Sequence, residues 1–200
     1  MGGGKRVGIL GGSFNPAHEG HLHISRHAFT RLDLDSIWWM VSPLNPLKDI
    51  SDVASLSERI QIAKKVAAPE KRIKITDIEQ FLGTRYTIDT IRSLRETFPE
   101  NQFVWIMGAD NLKQLPEWKN WSALMETIPI AVFDRAPYSA SSLASRAAKI
   151  YAPNRIKPGN AQALADHSAP SWIYLTIPRH SASGTQLRSA GRAPKYKRSN

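Results

Sequence analysis

Two hundred residues, 42% of them hydrophobic, suffice to bury one sizeable core, so a single domain over 1–200 is expected. The absence of cysteine excludes a disulfide framework and thiolate metal sites, and fits a reducing compartment. No apolar run reaches membrane-spanning length and the N-terminal one is too short for a signal peptide, which predicts a soluble cytoplasmic protein with no membrane partner.

The formal net charge of +10 is unevenly placed. Residues 1–134 balance 16 Lys/Arg against 16 Asp/Glu, whereas residues 135–200 carry 11 Lys/Arg and the single acid Asp166. A basic C-terminal third calls for an anionic partner, although residues 192–200 read as a solvated basic tail.

In chain order, strands are predicted at 6–10, 36–42, 72–76, 102–107, 128–133 and 172–177. Each is short and rich in β-branched or aromatic residues, and several are apolar throughout, as strands covered on both faces should be. Helices are predicted between them at 20–31, 56–68, 88–97, 122–126, 141–151 and 185–190. Ser55 and Glu58 have capping-box spacing before the apolar positions Ile60, Ile62 and Ala63. Thr87 is the candidate cap for the helix carrying Ile88, Ile91 and Leu94. The stretch 152–170, with its Pro, Asn and Gly, reads as a long surface connection. Alternating strands and helices predict an α/β, Rossmann-like, doubly wound parallel sheet with helices on both faces. Ligands bind beyond the carboxyl ends of such strands, and the segments 11–21, 43–49, 108–118 and 178–188 all fall there.

The segment 11–21 follows the first strand and opens a helix. Gly11 and Gly12 permit a sharp turn and close approach to a ligand. Ser13 adds a hydroxyl, Pro16 stiffens the turn, and His18 and His21 share the first helical turn, where their rings can donate to phosphate, more strongly when protonated. The pattern is neither the dinucleotide fingerprint nor a P-loop. Either histidine alone would read as an ordinary helix cap. His21 and His23 do not share a helix face and no carboxylate completes a set, so no protein-held metal is expected. His23 and His27 read as surface or packing residues. The second element is Ser183-Gly184-Thr185-Gln186-Leu187-Arg188, two hydroxyls and a guanidinium at a helix start, which form a compact anion site.

Together these elements resemble the signature pair of the nucleotidyltransferase superfamily with the His-x-Gly-His motif. Gly12, Phe14, Pro16, His18, Gly20 and His21 match its first motif; Ser183, Thr185 and Arg188 match its second. Within the superfamily the chain is most similar to the bacterial nicotinate-nucleotide adenylyltransferases. Four further segments carry that likeness: the proline-rich 42–48 ending in Lys48, 85–90 with Tyr86 and Thr87, 108–112 (Gly108, Asp110) followed by Trp118, and Arg135. Asn15 departs from the commoner Asp of that family, and Lys48 from the His of some members.

The resemblance implies an enzyme of NAD biosynthesis that transfers AMP from ATP to nicotinate mononucleotide, giving deamido-NAD and pyrophosphate. It implies that His18 and His21 stabilise the transferring phosphoryl group, that Lys48 neutralises charge, and that Arg188 with Ser183 and Thr185 holds the departing phosphates. Gly11, Gly12, Ser13, Phe14, Gly108 and Asp110 complete the implied ATP site. Asn15, Lys48, Tyr86, Thr87, Trp118 and Arg135 form the implied acceptor site, with Trp118 as the stacking platform. Mg²⁺ would be held mainly by ATP itself, and the protein would be a monomer or homodimer. A related adenylyltransferase acting on nicotinamide mononucleotide or pantetheine phosphate is the alternative within the class. A basic nucleic-acid-binding protein is the alternative outside it, but neither an aromatic-interleaved basic patch nor a recognition helix supports that reading.

Overall fold

A computed structural model describes residues 4–43, 54–134 and 139–178 of the chain, with the side chains of 139 and 140 excepted. Its centre is a seven-stranded sheet: β1 (Arg6–Gly12), β2 (Ser36–Val41), β3 (Ile73–Thr76), β4 (Gln102–Gly108), β5 (Ile130–Phe133), β6 (Arg155–Ile156) and β7 (Trp172–Leu175). The spatial order is β3-β2-β1-β4-β5-β7-β6, and every pairing is parallel. Parallel pairing requires crossovers, and the helices supply them: α1 (Glu19–Leu32), α2 (Leu56–Ala67), α3 (Ile78–Phe81), α4 (Thr87–Thr97), α5 (Ala109–Gln114), α6 (Trp121–Thr127), α7 (Ser139–Leu143) and α8 (Arg146–Ile150). The doubly wound parallel sheet expected from the sequence is what the chain forms.

The two-residue period of the strands sorts their side chains into two cores. Ile37, Trp39, Val104, Ile106, Phe133 and Leu175 face one side, where Leu22, Phe29 and Leu32 of α1 and Ala63 and Ala67 of α2 cover them. Ile9, Met40, Phe103, Trp105, Val132 and Trp172 face the other, under Ile88, Ile91 and Leu94 of α4, Leu112 of α5 and Leu124 of α6. The buried strand runs are apolar throughout because both faces are covered. Trp39 is fully buried and donates its indole N–H to Ser25 Oγ at 2.8 Å, while Trp38 packs edge-on against Phe98 and Phe103.

Three local expectations need correction. The stretch 152–170 is not a plain surface connection: it contains β6 and a 3₁₀ segment, Pro158–Asp166, whose Ala161, Leu164 and Ala165 are buried in the α1-side core. Those three stand at i, i+3 and i+4, a helical signal masked by the adjacent Pro158, Gly159 and Asn160. The single helix expected at 141–151 is two, because Ser145 Oγ accepts the Ala148 N–H and starts α8 afresh. Thr87 is the first helical residue of α4 and not its cap; Tyr86 holds the cap position with no side-chain bond. The Ser55–Glu58 capping box of α2 forms in both directions.

Candidate active site

β1 is central in the sheet, and the chain leaving it reaches α1 through Ser13–His18. His18 is the N-cap of α1 and His21 its third residue. The two rings form a reciprocal capping box: His18 Nδ1 accepts the Gly20 N–H at 3.1 Å, and His21 Nδ1 accepts the His18 N–H at 3.2 Å. Because each Nδ1 is an acceptor, each neutral ring carries its proton on Nε2. The ring centroids are 4.0 Å apart, so one helix end presents two Nε2–H donors side by side. Protonating either Nδ1 would set one N–H against another and cost that cap bond. Donation from the neutral rings keeps both cap bonds.

Phe14 supports this pair from below. Its φ of 46° lies in the left-handed region, unusual for a bulky residue, and its buried ring packs on His21 at 4.6 Å and on Trp39 at 5.2 Å. With the side chain so occupied, only its backbone is left for a ligand. Gly11 has a packing reason to be glycine: a Cβ there would lie 2.3 Å from the Trp105 ring, so protein already fills that space. At Gly12 the nearest atoms to such a Cβ are 3.8 Å away, in ordinary contact. Asn15 is buried, and its Oδ1 accepts the Ala54 N–H at 3.2 Å. An aspartate at this position could accept the same bond.

Around this turn the sheet collects the other segments. Trp105 of β4 meets Trp118 edge-on at 6.3 Å, so the ring filling the Gly11 space also braces the predicted stacking residue. Tyr86 caps α4, and Lys119, next to Trp118, places its Nζ 4.1 Å from the Tyr86 ring centroid and 3.8 Å from Asp89. The 85–90 and 118 segments, more than 25 residues apart in sequence, are thereby joined. Gly108 ends β4, and Asp110 lies in the first turn of α5. At the far side, His23 Nε2 donates to the Pro178 carbonyl at 2.7 Å, tying α1 to the exit of β7. Lys48, Arg135, Ser183, Thr185 and Arg188 lie outside the described residues. The structure thus brings together 11–21, 86–87, 108–110 and 118 at the carboxyl ends of β1 and β4.

Four residues that sequence reasoning passed over contribute here: Arg59, Glu79, Trp105 and Lys119. Glu79 of α3 is buried, and its Oε1 accepts from Thr90 of α4 at 3.3 Å. Burial raises its pKa above the usual carboxylate value, partly opposed by hydrogen bonds from the Ser42 and Thr90 side chains. Among the described residues no group of three or more His, Asp or Glu side chains is placed to hold a metal ion. No helix there is long and apolar enough to cross a membrane.

Comparison with known proteins extends this picture. The family model described as cytidylyltransferase-like matches residues 9–190. A protein of Ruegeria sp. (strain TM1040) named "Probable nicotinate-nucleotide adenylyltransferase" is 48% identical over 185 residues, covering 92% of this chain and 97% of its own. One of the same name from Bradyrhizobium sp. (strain ORS 278) is 49% identical over 184 residues, covering 92% and 95%. Among solved structures, the nicotinic acid mononucleotide adenylyltransferase of Plasmodium falciparum complexed with NaAD superposes with a TM-score of 0.69, over 92% of this chain and 83% of that one. At 16% identity that likeness speaks for the fold alone. On its near full-length identity to the bacterial proteins, this chain belongs to the cytidylyltransferase-like family and, within it, to the nicotinate-nucleotide adenylyltransferases.

Proposed function

We propose that this protein transfers AMP from ATP to nicotinate mononucleotide, forming deamido-NAD and releasing pyrophosphate. One observation carries the reading: the His18 and His21 rings, each held through Nδ1 by a cap bond, stand side by side at the glycine turn, in a chain nearly half identical to proteins named for this reaction. An oxygen of the acceptor's phosphate forms a bond to the α-phosphorus of ATP. The bond from that phosphorus to the bridging oxygen breaks, and pyrophosphate leaves with the electron pair. The attacking phosphate is already anionic, so no general base is required, and catalysis is positioning plus charge stabilisation.

In this reading His18 and His21 donate through Nε2 to the oxygens of the transferring phosphoryl group, with Gly12 and Ser13 beside them. Lys48 neutralises charge, and Ser183, Thr185 and Arg188 hold the departing phosphates. Trp118 stacks on the pyridine ring, with Tyr86, Thr87, Asn15 and Arg135 around it; Gly108 and Asp110 face the adenosine side. A divalent cation, Mg²⁺, enters as part of the ATP substrate, coordinated by phosphate oxygens. A cytoplasmic location and a monomer or homodimer complete the reading. The test is pyrophosphate release with ATP against nicotinate mononucleotide, nicotinamide mononucleotide and pantetheine phosphate. Release with the first at the highest kcat/KM is expected. Preference for another acceptor would reassign the substrate, and no release with any would overturn the class.

A further inference from the structure

Arg59 stands on α2 and is 1% exposed. A guanidinium is rarely so enclosed unless its donors are met. Here they are met by backbone: Nε donates to the Ala54 carbonyl at 2.9 Å, Nη1 to those of Ser13 at 2.6 Å and Ser42 at 2.7 Å, and Nη2 to that of Pro43 at 2.9 Å. Ser13 belongs to the glycine turn. Ser42 and Pro43 leave β2, and Ala54 leads into α2. Ala54 is gripped twice, since its N–H also donates to Asn15 Oδ1.

We infer that Arg59 is a positioning residue, which locks the chain leaving β2 and the chain entering α2 against the glycine turn and so sets the turn's geometry for AMP transfer. The inference rests on the function proposed above for its kinetic consequence, but not for its structural one. Only a planar fork with several fixed N–H vectors serves four carbonyls from three chain segments; a lysine ammonium concentrates its donors on one nitrogen. None of the four bonds involves a ligand, so the effect reaches chemistry through the placement of Ser13, Asn15 and the histidines after them.

The test compares Arg59→Lys and Arg59→Ala with the parent protein. Amide hydrogen exchange at Ala54, relative to sheet amides such as Ile106, is read alongside kcat and KM. Exchange at Ala54 should rise at least about tenfold in both variants while the sheet amides stay protected, and kcat/KM for AMP transfer should fall on the order of 100-fold, the usual cost of ångström-scale misplacement. Millimolar guanidinium should restore part of both losses in Arg59→Ala and none in Arg59→Lys, where the ammonium fills the space. Unchanged exchange at Ala54, or rescue of neither quantity, overturns the inference even if activity drops. Unfolding of both variants overturns it too, since Arg59 would then serve the core alone. A parent inactive with every acceptor, combined with the expected exchange pattern, leaves the positioning role standing and removes only the proposed reaction.

Discussion

In the His18–His21 pair, each imidazole has one nitrogen turned to the end of α1 and the other away from it. Structure and chemistry are therefore separable by substitution. His21→Asn keeps an acceptor near the cap position and removes the outer donor. It should leave the far-UV spectrum and melting temperature close to the parent's while lowering kcat by about 10²–10³-fold, the usual loss for one transition-state donor. Full activity would remove His21 from the mechanism, and unfolding would make it a structural cap. Glu79 gives a second residue-scale prediction. Its pKa is raised in the folded protein, so the folded state holds its proton at a pH where the unfolded chain has released it. That contribution makes the protein less stable as pH rises from below 4.5 through the raised value, and level above it. Glu79→Gln should therefore melt higher than the parent at neutral pH, by about 2–4 °C for each kcal/mol regained. The gap should close below the unfolded-state pKa. Parallel melting curves across pH would refute the buried-proton reading.

Among the secondary elements, β1 and β4 are coupled through Gly11 and Trp105. The indole occupies the space of the missing Cβ and also meets Trp118 edge-on. Gly11→Ala should destabilise by about 1–3 kcal/mol, as overpacking does, and also raise the acceptor KM by displacing Trp118. Urea melts and steady-state kinetics on one preparation would check both. An acceptor KM unchanged by Gly11→Ala would confine Trp105 to packing. Trp118→Ala, which leaves β1 intact, should raise the acceptor KM about tenfold or more without changing that for ATP. Equal effects on both substrates would argue against stacking on the pyridine. The element boundaries that sequence missed share a cause at this scale. Ser145 and the 161–165 segment both lie where a local hydrogen bond or a Pro–Gly–Asn turn competes with helical periodicity, and the tertiary core settles the contest.

For the whole molecule, the charge is asymmetric along the sequence. The charge-balanced part, residues 1–134, supplies most of the sheet, while the basic excess lies at 135–200 and includes Arg135 and Arg188. The family match ends at residue 190, so deleting 192–200 should leave kcat/KM and the melting temperature unchanged. A marked loss in either would give the tail a role in the site. Much of this was legible in the sequence. The alternation of short apolar strands with amphipathic helices determined the parallel, doubly wound sheet, because strands covered on both faces leave an unbroken apolar run. The spacing of Gly12, Phe14, His18 and His21 likewise marked the turn after β1, since a turn's chemistry is local. Only the tertiary structure decided which ring nitrogens hold the end of α1, why Gly11 is glycine, and that Arg59 grips four carbonyls from three segments. Those are contacts between residues distant in sequence, fixed by packing and hydrogen-bond geometry that no local pattern encodes.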